Sequence, residues 1–110
     1  MAKYVLILNS AAKPGRADEY SDWCRNQHFP DILRIPGVTG AKRYRFMGKS
    51  GDEQARFVSI FDLDCDDPQE ILNEMRQRNG TPAMPVSDSY DPTSVSMAFA
   101  QIELELTAAD

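Results

Sequence analysis

The continuous apolar run Tyr4-Val5-Leu6-Ile7-Leu8 opens the chain. Such a run predicts a strand buried on both faces. Pro14-Gly15 then marks a loop. From Arg16 the period changes: Tyr20, Trp23, Cys24, Gln27, His28 and Asp31 recur at spacings of three and four, with Asp18, Glu19, Asp22, Arg25 and Asn26 between them. That spacing predicts an amphipathic helix with acidic residues at its favourable start. Pro30 is expected to end or kink it, and Asp31 to cap a second short turn through Ile35. Pro36-Gly37 leads into a strand over Val38–Met47. In it, Lys42, Tyr44 and Phe46 share one face, and Ala41, Arg43, Arg45 and Met47 share the other.

Gly48-Lys49-Ser50-Gly51-Asp52 predicts a turn, and Arg56–Leu63 the antiparallel partner strand. Asp66 or Asp67 is the expected cap of the second helix, with Pro68 at its first position and Ile71, Leu72 and Met75 as its apolar stripe. Asn79-Gly80 stops that helix. Thr81 to Pro92 reads as a polar loop. Alternation of Ala98, Ala100, Ile102, Leu104 and Leu106 with Met97, Phe99, Gln101, Glu103 and Glu105 predicts a last strand over Ser94–Leu106, before a frayed tail at 107–110.

The order β-α-β-β-α-β predicts an α+β, ferredoxin-like plait: a four-stranded antiparallel sheet with both helices on one face. The strands are apolar on both faces, so the bare face is expected to be covered by a second copy in a homodimer. The 110 residues fit one domain, over 1–106. Acidic residues outnumber basic ones 17 to 12, for a net charge of -5. A nucleic-acid backbone binder needs the opposite balance. No apolar run approaches about 18 residues, and the N-terminus lacks the pattern of a signal peptide, so a cytoplasmic protein with no membrane partner is expected.

Chemistry is sparse. Cys24 and Cys65 form no paired motif, and one histidine excludes a His-rich metal site. The acids Asp62, Asp64, Asp66 and Asp67 lack the Gly and Glu of a calcium loop, so no metal is expected. His28 is the leading acid–base candidate, because its ordinary pKa lies near neutrality. A buried structural histidine is the alternative. Tyr44 is expected to point under the helix toward His28 and to serve as an oxyanion donor. Trp23 can wall a pocket or be plain core. Asp31 can orient His28 or cap the next turn. Arg43 and Arg45, opposite Tyr44 on their strand, are expected to pair with Glu103 or Glu105 across the dimer. Cys65 ranks below His28 as a nucleophile, since nothing basic is adjacent in sequence.

The segment Glu19-Tyr20-Ser21-Asp22-Trp23, His28-Phe29-Pro30-Asp31 and Pro36-Gly37 through Arg43-Tyr44-Arg45 resembles the dimeric α+β-barrel superfamily, and within it the EthD-like group. The shared pattern is aromatic–x4–His–x–Pro late in the first helix, then a Pro-Gly turn and an Arg-Tyr strand. The resemblance implies a twofold dimer whose sheets close into a barrel with helices outside. It also implies a cleft for small aromatic, polyketide-like or lactone ligands, and cofactor-independent isomerase, cyclase or monooxygenase chemistry by proton transfer. On that reading His28 and Tyr44 are catalytic. Trp23, Asp31, Lys42, Phe46, Phe57 and Phe61 contact substrate; Tyr90, in a loop outside the shared pattern, is a separate candidate to gate the pocket. Two alternatives stand beside it: a non-catalytic ligand-binding protein on the same scaffold, and haem chemistry with His28 as the single axial ligand.

Overall fold

The computed structural model describes residues 2–47 and 54–109. The expected turn at 48–52 lies outside them. Strand β1 (Ala2–Ala11) is followed by helix α1 (Ala17–Trp23), a π turn (Cys24–His28) and helix α2 (Phe29–Leu33). Next come β2 (Val38–Arg45), β3 (Arg56–Cys65), α3 (Pro68–Arg78), a short 3-10 turn (Pro92–Ser94) and β4 (Ser96–Ala100). The strands form one antiparallel sheet in the order β2-β3-β1-β4. This is the ferredoxin-like plait. No described helix is long and apolar enough to cross a membrane.

The pleat sorts the side chains. Leu6, Ser10, Phe57, Ser59, Phe61 and Leu63 are buried on one face. The register pairs Leu6 with Phe61, Leu8 with Ser59 and Ser10 with Phe57, which keeps these residues together. Ile32 and Ile35, with Ile71, Leu72 and Met75 of α3, pack on that face in one core. Tyr20, Cys24, Phe57 and Ala12 form a second, smaller core. Val5, Ile7, Val58 and Ile60 point the other way and are half-buried.

Helix α3 starts as expected. The Asp67 carboxylate accepts from the Gln69 N–H at 3.0 Å, and Pro68 follows at the first position. Gly37 sets where β2 leaves the helical rod. Its φ is +97°, and a Cβ there would lie 2.8 Å from Ile71 Cδ1. A side chain would therefore be strained by the backbone and would force the tip of Ile71 aside.

Two expectations are corrected. Pro30 neither ends nor breaks the first helix. Backbone angles remain helical at His28 and Phe29, and the rod runs continuously over 17–33. The Phe29 N–H reaches back five residues to the Cys24 carbonyl. A π turn holds one extra residue, so the proline ring meets less crowding than in an α turn, and its missing N–H costs less. Asp31 consequently sits inside the rod and caps nothing. The last strand is also shorter than its alternation predicts. It pairs with β1 only from Val5↔Ala100 to Asn9↔Ser96. Beyond Ala100 the chain leaves the sheet, with Ile102, Leu104 and Leu106 70 to 84% exposed. Alternation describes a side-chain pattern, but a strand also needs a neighbour to bond to.

Candidate functional site

Between the helical rod and α3, over β1 and β4, lies a cavity of about 150 Å³. Leu8 and Met97 form part of its floor, Leu72 and Met75 one side, and Tyr20, Trp23 and His28 the other. Met84, Tyr90 and Val95, from the segment between α3 and β4, also line it, and it stays partly open to solvent. That segment is tied down locally. The Lys13 N–H donates to the Ser89 carbonyl and the Asp91 N–H to the Ala11 carbonyl, each at 2.9 Å. Trp23 Nε1 donates to the Pro85 carbonyl at 3.2 Å.

The π turn determines the presentation of His28. A π turn brings residues five apart onto nearly one face, so His28 lies beside Trp23. The two rings stack at 4.2 Å between centroids and 17° between planes. Tyr90 stacks on Trp23 at 5.9 Å and on Tyr20 at 5.5 Å. The wall is thus a series of nearly parallel rings. His28 Nδ1 is buried and has no hydrogen-bond partner among the described residues. Burial pushes the imidazole pKa down to about 4; the charge of Asp31 opposes this and that of Arg43 adds to it. At pH 7 the ring is neutral.

Asp31 is 3% exposed and is held by other partners. Its carboxylate accepts from Gln27 Nε2 and from Arg34 Nη1, each at 2.6 Å. It therefore acts on His28 through its charge, with no direct hydrogen bond between them. Tyr20 and Ser10 share a hydroxyl–hydroxyl bond of 2.7 Å. Burial raises the Tyr20 pKa, against the influence of Ser10 and Arg43. Burial also pushes the Cys24 thiol up to about 11. The Cys65 thiol rises through burial and then through the charges of Asp64, Asp67, Asp66 and Glu70. Both thiols are protonated at neutral pH and poor nucleophiles.

The expected convergence on His28 is only partial. Trp23 is beside it. Tyr44 is not: it pairs with Val58 on the uncovered face and is 51% exposed. Lys42 pairs with Ile60 on that same face and is exposed. Phe46 lies just past β2 and is 54% exposed. The sheet separates all three from the cavity, because alternate residues of a strand point to opposite sides. Phe57 and Phe61 do face the helices, but as nearly fully buried core residues outside the cavity lining.

Arg43 corrects the expectation in the other direction. Register pairs it with Ser59, on the helix-covered face. Its guanidinium lies 3.9 Å from the Phe57 ring centroid and 4.4 Å from that of Tyr20. Nη1 and Nη2 are buried without a hydrogen-bond partner among the described residues. The small Ser10 and Ser59 leave space on this face that the arginine enters. The sequence carries one usable signal: Arg43 shares strand parity with Ala41, away from Tyr44. It does not reveal which side the helices cover.

No protein-family model matches the chain, and no curated protein matches it. Solved structures do. An EthD family protein from Bacillus halodurans is 19% identical, with a TM-score of 0.58 over 90% of this chain and 98% of that one. A point variant of MhuD, solved with two manganese protoporphyrin IX molecules per active site, is 15% identical, with a TM-score of 0.60 over 94% and 99%. A dimeric ferredoxin-like protein from an uncultured marine organism is 9% identical, with a TM-score of 0.61 over 96% and 100%. At these identities the likeness is one of fold. By fold, the chain is a ferredoxin-like plait, an architecture it shares with an EthD family protein.

Proposed function

We propose that the protein is a small enzyme that moves a proton on a carbon acid within the cavity beside His28. The carrying observation is the neutral imidazole that stacks on Trp23 and lines the cavity. A neutral imidazole can accept a proton, and the nearby Asp31 charge favours the imidazolium that forms. Parallel rings and apolar side chains select a flat ligand. A cavity of about 150 Å³ accommodates roughly one benzene-sized ring, so the substrate class is a single-ring phenol, cyclic ketone or lactone. A tetrapyrrole such as the one bound by MhuD exceeds this space several-fold, and the residues present do not fit it.

Deuterium incorporation from D2O into a panel of single-ring enolisable ketones and lactones, followed by NMR, tests this reading. Wild type is expected to accelerate exchange in at least one member. His28→Gln is expected to lose about 100-fold or more, the usual weight of a positioned acid–base group. The acid limb of kcat/KM belongs near pH 4 rather than 6.5. Background-level exchange across the panel sinks the enzyme reading.

The low imidazole pKa also supports a second reading. A base this weak has little driving force for proton abstraction, which favours a ligand-binding protein using the same cavity. Saturable binding of a single-ring phenol, seen as a change in Trp23 fluorescence, without any exchange, identifies that case.

We further infer a homodimer. Val5, Ile7, Val58 and Ile60, flanked by Tyr44, make a bare apolar face that a second copy would cover. Sedimentation at twice 12.4 kDa is expected.

A further inference from the structure

A second concavity, of about 370 Å³, opens on the other side of the helical rod, against the edge strand β2. Its apolar part is formed by Phe29, Phe57, Ala41 and Cys24. Its charged part consists of three arginines, Arg25, Arg43 and Arg45. Among the described residues, no carboxylate lines it. Three arginines on one small space is a high concentration in a chain with net charge -5 and 12 basic residues in all.

The three arginines are differently placed. Arg43 is the inner one. Its guanidinium rests on two aromatic faces, and neither Nη has an acceptor among the described residues. Ring faces offset only part of the cost of an inward guanidinium, because they leave its fork of donors unused. Arg45 is exposed, with its guanidinium carbon 5.6 Å from the Phe57 ring centroid. Arg25 is 74% exposed at its side chain and has Asp22 at 3.5 Å. That contact is a long surface pair, worth little and easily exchanged. Among the described residues, the one other titratable group facing the space is the Cys24 thiol, which is protonated at neutral pH.

We propose that this concavity binds the carboxylate of a small organic acid, with the exposed Arg25 and Arg45 around the charged end, the inner Arg43 adding its charge from beneath, and Phe29 and Ala41 against its apolar body. Guanidinium and carboxylate match in planar, two-pronged hydrogen bonding. Half-buried Phe29 makes the site different from a general anion site. The side chains of Tyr20 and Arg43 separate it from the His28 cavity, since Tyr20 lines one space and Arg43 the other. The proposal therefore stands apart from the catalytic reading and survives its failure.

Calorimetric titration of the whole chain with benzoate, benzamide and inorganic phosphate tests it. Benzoate is expected to bind saturably at millimolar concentration or below, with benzamide and phosphate each about tenfold weaker or more, as charge-assisted recognition plus ring burial requires. The double variant Arg25→Gln/Arg45→Gln alters two exposed side chains and should fold normally. It is expected to weaken benzoate by about tenfold, in keeping with the loss of two charge-assisted contacts. His28→Gln is expected to bind benzoate like wild type. Equal affinity for benzoate and benzamide, phosphate binding as tight as benzoate, or a double arginine variant that binds like wild type would each overturn the assignment. Loss of benzoate binding in His28→Gln would also overturn it, by moving the ligand to the other cavity.

Discussion

On β3, Phe57, Ser59, Phe61 and Leu63 lie buried beneath the helices, while Val58, Ile60 and Asp62, each one residue away, face outward. The covered side holds a half-buried arginine, a neutral histidine and stacked aromatic rings. The uncovered side holds branched aliphatics with Lys42 and Tyr44 at its margin. Residues adjacent in sequence therefore belong to different chemistry. Tyr44 and Arg43 show this most directly. The tyrosine, expected at the imidazole, is on the far side of the sheet. Arg43, expected at a subunit interface, lies against Tyr20 and Phe57. Parity along a strand is readable in advance, whereas the side that the helices take is a property of the assembled layers.

The largest contrast should come from truncation beneath the helices. Phe61→Ala is expected to cost about 3–5 kcal/mol of stability, through lost burial and a cavity under the helical layer. Urea unfolding monitored by circular dichroism measures it. A loss below about 1 kcal/mol would show that the covered face is loosely packed and would weaken the comparison.

The pH dependence of stability should also report the covered face. The folded imidazole titrates near 4, against an ordinary 6.5. Between those values the unfolded state binds more protons, so stability falls as pH drops through that window and levels off below it. The loss can reach about 3 kcal/mol at most. His28→Gln should remove this component. Identical pH profiles for variant and wild type would place the imidazole in solvent.

For the uncovered face the expected readout is association. Ile60→Asp puts a carboxylate in the middle of the bare surface. It should raise the dimer dissociation constant by about 100-fold, equivalent to about 2.7 kcal/mol, while the circular dichroism spectrum stays that of the folded chain. A dimer that persists in equilibrium sedimentation would show that this face is not the one covered.

The smallest effect belongs to Tyr44. Removing its hydroxyl in Tyr44→Phe should shift stability by less than about 0.5 kcal/mol, as for an exposed surface change. It should also leave deuterium exchange in the His28 cavity unchanged. A large loss of exchange would mean that Tyr44 reaches a site through the dimer, which the isolated sheet does not allow.

Much of the architecture was legible in the chain because it is encoded locally. The run Tyr4–Leu8, the Asp67-Pro68 start of α3, its Ile71, Leu72 and Met75 stripe, and the Asn79-Gly80 stop all act over a few residues. So did the candidacy of His28 and its neighbour Trp23 on one helix face. Pro30 misled because its local penalty is against an α turn, and the chain adopts a π turn instead. The 101–106 segment misled because alternation carries no information about whether a neighbouring strand is present. For Arg43, proximity to Tyr20 and Phe57 arises from the Arg43↔Ser59 register and from small residues at Ser10 and Ser59.

By itself, then, the sequence determined the element order, the amphipathic faces and a single histidine as the acid–base candidate, since each follows from short-range periodicity and side-chain chemistry. Tertiary structure decided which strand face is covered, which rings stack on His28, and which rings Arg43 lies against. Those outcomes depend on register and layer packing between segments distant in the chain, and no local pattern carries that information.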